Sequence, residues 1–227
     1  MCNKAKIIKL EGISKSYDGK KNVIDKLNLE IYTGDIVVIE GKSGSGKSTL
    51  LNILGMLHNF DQGTYWFENS LISKKNNKKK AYFRAEKVGF IFQSYHLMEN
   101  LTVMDNILLP YLYGNKKLDN TVKNRALKSM KQFNLSDMEN KKVSLLSGGE
   151  KQRVAMVRAI IKEPKVIIAD EPTGNLDIEN TKIIIHAFRK LANKGTTIII
   201  VTHDTSIAEK TDKRYQMIGG QLQLWEQ

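Results

Sequence analysis

Gly41-Lys42-Ser43-Gly44-Ser45-Gly46-Lys47-Ser48 is the segment best equipped for chemistry in this chain of 227 residues. It satisfies the pattern GxxxxGK[ST] at every fixed position, and each fixed residue has a physical task. Glycines let successive backbone N–H groups turn inward around a polyphosphate without Cβ clashes. The helix that starts near Lys47 points the positive end of its dipole at the same anion. Lys47 adds a mobile point charge, and the Ser48 hydroxyl suits a Mg2+ ion.

Two further segments carry chemistry only in company with the first. Val166–Ala169 is a pure apolar run that delivers Asp170 and Glu171 to the end of a buried strand, where ligands bind in α/β sheets. There Asp170 could hold a metal's hydration shell, and Glu171 could take a proton from an attacking water. Leu146-Ser147-Gly148-Gly149-Glu150 precedes a long helical pattern and offers a helix start stripped of bulky side chains, a second anion receptor. Ser147 also suits an N-cap, and the two roles are compatible. Either both receptors serve one site, or each meets the complement on a partner copy; spacing alone does not choose.

These residues need a frame. Ile7–Ile13 and Leu27–Ile31 read as strands, and Ile36–Ile39 as a strand buried on both faces that feeds the glycine loop and a helix from Ser48 to Leu54. Gly63–Phe67 and Val88–Phe92 read as strands, with Asn76–Lys87 between them a polar helix or loop. From Thr102 to Val143 the periodicity is helical, which predicts a helical lobe. Helices are then expected from about Gly149 to Lys162 and Ile178 to Lys194, with strands at Val166–Ala169, Thr197–Val201 and Arg214–Ile218. Such alternation predicts an α/β fold with a largely parallel sheet and helices on both faces.

Composition bounds the remaining classes. The apolar runs are too short to span a bilayer, no signal peptide is evident at the N-terminus, and one cysteine permits no internal disulfide. A soluble, cytoplasmic protein is the expectation. The net charge of +12 invites an anionic partner, but Lys dominates Arg, the residue that reads phosphates and bases with a planar fork. The cluster Lys74, Lys75, Lys78, Lys79 and Lys80 is read as a solvated loop. Histidines at 58, 96 and 186 sit in no motif, and no Cys/His spacing suits zinc.

Taken together, Gly41–Thr49, Gln93, Leu146–Gln152, Val166–Glu171, Gly174-Asn175-Leu176-Asp177 and His203 resemble the ordered motifs of ABC-transporter ATPases across essentially the whole chain. Leu146–Glu150 is the segment that marks this family among phosphate-loop proteins. The resemblance implies one ATPase domain over 1–227, with a mostly parallel core, an antiparallel β subdomain and a helical lobe at about 102–145. It implies ATP and Mg2+ as cofactors, with Gly41, Lys42, Ser43, Gly44, Ser45, Gly46, Lys47, Ser48 and Thr49 around the phosphates. Tyr17 resembles the aromatic that stacks on adenine. Gln93 resembles the glutamine that senses Mg2+ and couples to the membrane partner, joining Ser48 and Asp170 as metal residues. Glu171, His203 and Gln93 are the catalytic residues this implies, with His203 resembling the one that touches the γ-phosphate and Asp177 the residue that signals across a head-to-tail dimer. In that dimer ATP lies between the glycine loop of one copy and Ser147, Gly148, Gly149 and Glu150 of the other.

Within the family, Gly174–Asp177 with Leu54–Leu57 and Thr102–Pro110 resembles the MacB/LolD/FtsE branch. That implies an integral membrane permease of the MacB/LolC/FtsX type as partner, a place on the cytoplasmic side of the membrane, and no nucleic-acid partner. Export or release of a peptide, lipoprotein or drug is the expected work, with an FtsE-like regulatory role as the rival and a soluble ABC ATPase acting on nucleic acid as a third. Departures from the branch stand at Glu150-Lys151, Val157 and His58-Asn59-Phe60. No appended regulatory domain is expected after the last strand.

Overall fold

The four branched aliphatic residues of β3 (Ile36–Glu40) are all buried, so this strand presents an apolar surface to both sides. It anchors the computed structural model, which describes residues 4–113, 118–174, 178–203 and 211–225. Five further strands share its sheet: β6 (Val88–Ile91), β7 (Val166–Asp170), β8 (Thr197–Val201), β9 (Lys213–Ile218) and β10 (Gln221–Leu224). Their order is β10-β9-β3-β8-β7-β6, parallel from β9 to β6, with β10 turning back antiparallel. A second sheet, all antiparallel and ordered β2-β1-β4-β5, comprises β1 (Lys6–Ser16), β2 (Asn22–Tyr32), β4 (Gln62–Phe67) and β5 (Ser70–Leu71).

The helices are α1 (Lys47–Leu54), α2 (Asn77–Lys87), α3 (Val103–Leu108), α4 (Asn120–Gln132), α5 (Gly148–Ile160) and α6 (Ile178–Ala192). Short 3-10 turns at Leu109–Leu112 and Val143–Leu145 break the helical stretch that follows β6. α2, left open as helix or loop by its polarity, is a helix. Asn76 caps it by accepting from the Lys79 N–H at 2.9 Å, although none of its residues is fully buried.

Period-two alternation along the strands divides the interior into two cores. Ile36 and Val38, with Ile167, Ile198 and Ile200, face a layer built from α3, α4, α5 and α6. Val37 and Ile39, with Ile168, Ile199 and Val201, face α1 and the antiparallel sheet, whose Ile8, Leu10 and Ile31 close that core. Helices therefore dominate one face of the parallel sheet, while α1 and the second sheet cover the other. Helices thus lie on both faces as expected, but on one of them α1 shares the cover with a sheet, because strand periodicity reveals that both faces are buried but not what buries them.

Candidate active site

β3 runs straight into the glycine loop, which closes on α1. Gly46, the residue before α1, has φ 105° and carries no side-chain cap, and a Cβ there would stand 2.7 Å from the Val23 carbonyl oxygen. Gly41 is as constrained, at φ 156° with a would-be Cβ 2.6 Å from the Met217 oxygen. These two glycines are thus required by packing against β2 and β9 as well as by the loop's own curvature. Lys47 is buried, and its ammonium donates to the carbonyls of Gly41 at 2.7 Å and Lys42 at 2.9 Å, strapping the loop across its mouth. The buried hydroxyl of Ser45 has no hydrogen-bond partner among the described residues.

Two cavities meet this loop. The larger, about 660 Å3, is lined by Tyr17, Lys42, Ser43, Gly44 and Ser45 and by the β9–β10 turn at Gly219-Gly220. Tyr17 is 61% exposed, with its hydroxyl 3.3 Å from Thr49 Oγ1 and 3.4 Å from His58 Nδ1. One face of an aromatic ring is therefore offered beside the loop, as a planar base requires. The smaller cavity, about 240 Å3, brings Ser48 and Asp170 together, residues from opposite halves of the chain. Burial pushes the Asp170 carboxyl above the usual range, the neighbouring Glu171 raises it further, and only Lys47 opposes them. A half-buried carboxylate so placed is stabilised by a cation. A hydroxyl and a carboxylate are hard oxygen donors that suit Mg2+, which takes one or two carboxylates and keeps waters or phosphates. The residues fit the ion; among the described residues no group of three or more His, Cys, Asp and Glu suggests any other metal site.

Glu171 sits immediately after β7 with φ 45°. Its Oε2 accepts from the Thr202 hydroxyl at 3.0 Å and from the His203 N–H at 3.3 Å, and its Oε1 lies 3.6 Å from His203 Nε2. Gln93 is exposed, just past the end of β6, and lines neither cavity. Asp177 lies outside the described residues.

Ser147 and Glu150 form a reciprocal capping box at the start of α5: Glu150 accepts from the Ser147 N–H at 2.7 Å, and Ser147 Oγ accepts from the Glu150 N–H at 3.3 Å. The bond from Ser147 holds the Glu150 carboxyl below its ordinary range. Glu150 thus acts at this helix start as a cap. Ser147–Glu150 line neither of the two cavities at the glycine loop. Sequence reading missed several neighbours. The β9–β10 turn was signalled by Gly219-Gly220, a two-residue hairpin pair. Gln152, which closes the Leu146–Gln152 motif, is buried and donates to the Pro172 carbonyl at 2.6 Å; Thr202 carried no signal of its own.

A family profile described as ABC transporter matches residues 24–174. The chain is 41% identical over 223 residues to the uncharacterized ABC transporter ATP-binding protein YvrO of Bacillus subtilis, covering 97% of each. It is 40% identical over 218 residues to the lipoprotein-releasing system ATP-binding protein LolD of Bacteroides thetaiotaomicron, covering 95% of this chain and 99% of that one. It is also 37% identical to the macrolide export ATP-binding/permease protein MacB of Pasteurella multocida, of which it spans 34%. Among solved structures, a dimeric ATP-binding cassette in a post-hydrolysis state bound to ADP and Pi superposes with a TM-score of 0.89 at 33% identity, covering 97% of this chain and 98% of that one. A phosphate loop at the end of β3, a carboxylate pair at the end of β7 in the same parallel sheet and these likenesses agree: the chain belongs to the ABC transporter family and is its ATP-binding, ATP-hydrolysing subunit.

Proposed function

We propose that this ATPase powers a membrane permease of the MacB/LolC/FtsX type from the cytoplasmic face, for export or release of a lipoprotein, peptide or drug. The recurrence of LolD and MacB among its relatives supports transport over an FtsE-like regulatory role. In this reading residues 1–227 form one ATPase domain, and the stretch at about 102–145 is its helical lobe. No helix among the described residues is long and apolar enough to cross a membrane. An apolar groove of about 620 Å3 beside β6, lined by Phe90, Phe92, Tyr113 and Arg158, is suited to a permease segment and lies next to Gln93 in the chain.

The observation that carries the site is that Ser48 and Asp170 line one cavity beside the glycine loop. Adenine stacks on Tyr17, the loop amides of 41–49 surround the phosphates, and Lys47 exchanges its carbonyl partners for phosphate oxygens. Ser48 and Asp170 would hold Mg2+, which neutralises charge on the phosphates when bound, and Gln93, outside their cavity, would join them only on moving toward it. Glu171 takes a proton from the attacking water as the water oxygen bonds to the γ-phosphorus. The bond from γ-phosphorus to the bridging oxygen breaks, and its electron pair stays on ADP. His203 faces the γ-phosphate. A second copy supplies the N–H groups of Gly148 and Gly149 beside Ser147 and Glu150, and Asp177 serves the contact between copies.

The test is Glu171→Gln, which keeps size and removes charge. Turnover should fall by about 10²–10⁴, the usual contribution of a general base. Light scattering should show a dimer with Mg-ATP and a monomer without it, and adding Ser147→Arg should abolish the dimer. A mass of one chain under saturating ATP, or indifference to Ser147→Arg, refutes the shared site.

A further inference from the structure

We propose that Thr202 is a positioning residue for catalysis: its hydroxyl holds Oε2 of Glu171, so that Oε1 is the oxygen presented to water. The inference rests on reading Glu171 as the base. Glu171 has φ 45°, in the left-handed region that residues with a Cβ rarely adopt, so its turn must be held from outside. The hold comes from the end of β8. The parallel ladder between β7 and β8 pairs Asp170 with Val201, and it continues one step beyond the strand, with the Glu171 N–H donating to the Val201 carbonyl at 2.8 Å. The next two residues then grip the side chain, Thr202 through its hydroxyl at 3.0 Å and His203 through its backbone N–H at 3.3 Å, both on Oε2.

The two grips are unequal. Thr202 is fully buried, so water does not compete for its hydroxyl, and its β-branched side chain is stiff about χ1. The His203 imidazole is largely exposed and lies 3.6 Å from Oε1, too long for a hydrogen bond. A glutamate carboxyl otherwise turns broadly about its last torsion. With Oε2 fixed twice, that turn is arrested, and Oε1 is the oxygen left beside the exposed His203 imidazole.

The experiment compares Thr202→Val, Thr202→Ala and Thr202→Ser, each in the wild-type and the Glu171→Gln backgrounds. It reads kcat, KM for ATP, melting temperature and the mass with Mg-ATP. Thr202→Val should lower kcat by about 10–100-fold, the scale of a misplaced catalytic group, with KM within about two-fold and the ATP-dependent dimer retained. Thr202→Ser should return kcat to within about three-fold of wild type, because the hydroxyl is restored. In the Glu171→Gln background, removing the hydroxyl should cost nothing further in single-turnover hydrolysis, since coupled residues are not additive. If Thr202→Val fails to fold, the Ser-to-Ala ratio of kcat carries the test, as those two differ only in the hydroxyl. Wild-type kcat in Thr202→Val, an undiminished further loss in the Glu171→Gln background, or a loss that Ser does not restore overturns the proposal. Wild-type turnover of Glu171→Gln alone instead refutes the base, and the positioning role falls with it.

Discussion

Lys47→Ala tests whether the ammonium strap across the glycine loop exists before nucleotide arrives. In the structure Lys47 is buried and donates to two carbonyls of its own loop, Gly41 at 2.7 Å and Lys42 at 2.9 Å. Hydrogen bonds to a charged group contribute about 1.5–3 kcal/mol each, but these acceptors lie on a half-open loop and truncation also removes a costly buried charge. The expected net loss is therefore about 1–2 kcal/mol. For a chain of this size that lowers the melting point by roughly 2–8 °C in the absence of nucleotide. Lys47→Met should lose the same amount, since it keeps the stem and not the donor. With Mg-ATP the wild type should gain stability by mass action, and both variants should gain little. Thermal melts of the three proteins with and without Mg-ATP, beside turnover, provide the assay. An unchanged or higher melting point without nucleotide shows that the loop is not held by this ammonium; near-wild-type turnover refutes its role at the phosphates.

Tyr17→Ala should weaken ATP binding by about 1–3 kcal/mol, one base–aromatic contact. Tyr17→Phe should change the dissociation constant by no more than about three-fold, because the contacts of its hydroxyl with Thr49 and His58 are long, at 3.3 and 3.4 Å; equal losses in a fluorescent-nucleotide titration would show that the ring is not the contact. Asp170→Asn should abolish Mg-dependent turnover while raising the melting point of the nucleotide-free protein. Burial and Glu171 raise the Asp170 pKa on folding, so its ionised form costs stability above the carboxylate range. That cost disappears as the pH falls through this range, and the advantage of Asp170→Asn in thermal melts should narrow with it; a gap that widens toward acid refutes the assignment.

What was legible in the sequence was local. β3 and β8 announce themselves as unbroken β-branched runs, and the glycine loop by its fixed residues. α2 was ambiguous because its helicity comes from the Asn76 cap and packing at its edges, not from an apolar stripe. The antiparallel sheet was expected only through the family resemblance, since β1 pairs with both β2 and β4 through several register shifts that strict alternation does not forecast. The hold of Thr202 on Glu171 was invisible for a different reason. It exists only because β8 lies beside β7 and because the backbone turns left-handed at Glu171. The Lys47 strap is short-range, yet it depends on the loop's path and not on its composition.

Strand order explains why the chemistry converges although the residues are scattered. The central run β3-β8-β7-β6 is parallel throughout, so the C-terminal ends of its four strands lie along one edge. β3 delivers the glycine loop there, β8 Thr202 and His203, β7 Asp170 and Glu171, and β6 Gln93. Because β8 stands between β3 and β7, it reaches the Glu171 carboxylate from one side while lying next to the loop on the other. The start of α5 belongs to no strand end, and Ser147–Glu150 line neither cavity at the glycine loop. One copy thus gathers the glycine loop, Asp170 and Glu171 at one edge of the sheet, while the start of its α5 lines neither cavity there. Two copies at +12 each repel. In the proposed dimer a polyphosphate between the glycine loop of one and the α5 start of the other would supply the missing negative charge at the point of contact. On the proposed reading ATP would be the bridge between copies as well as the substrate, and hydrolysis that releases phosphate from that bridge would restore the repulsion that separates them.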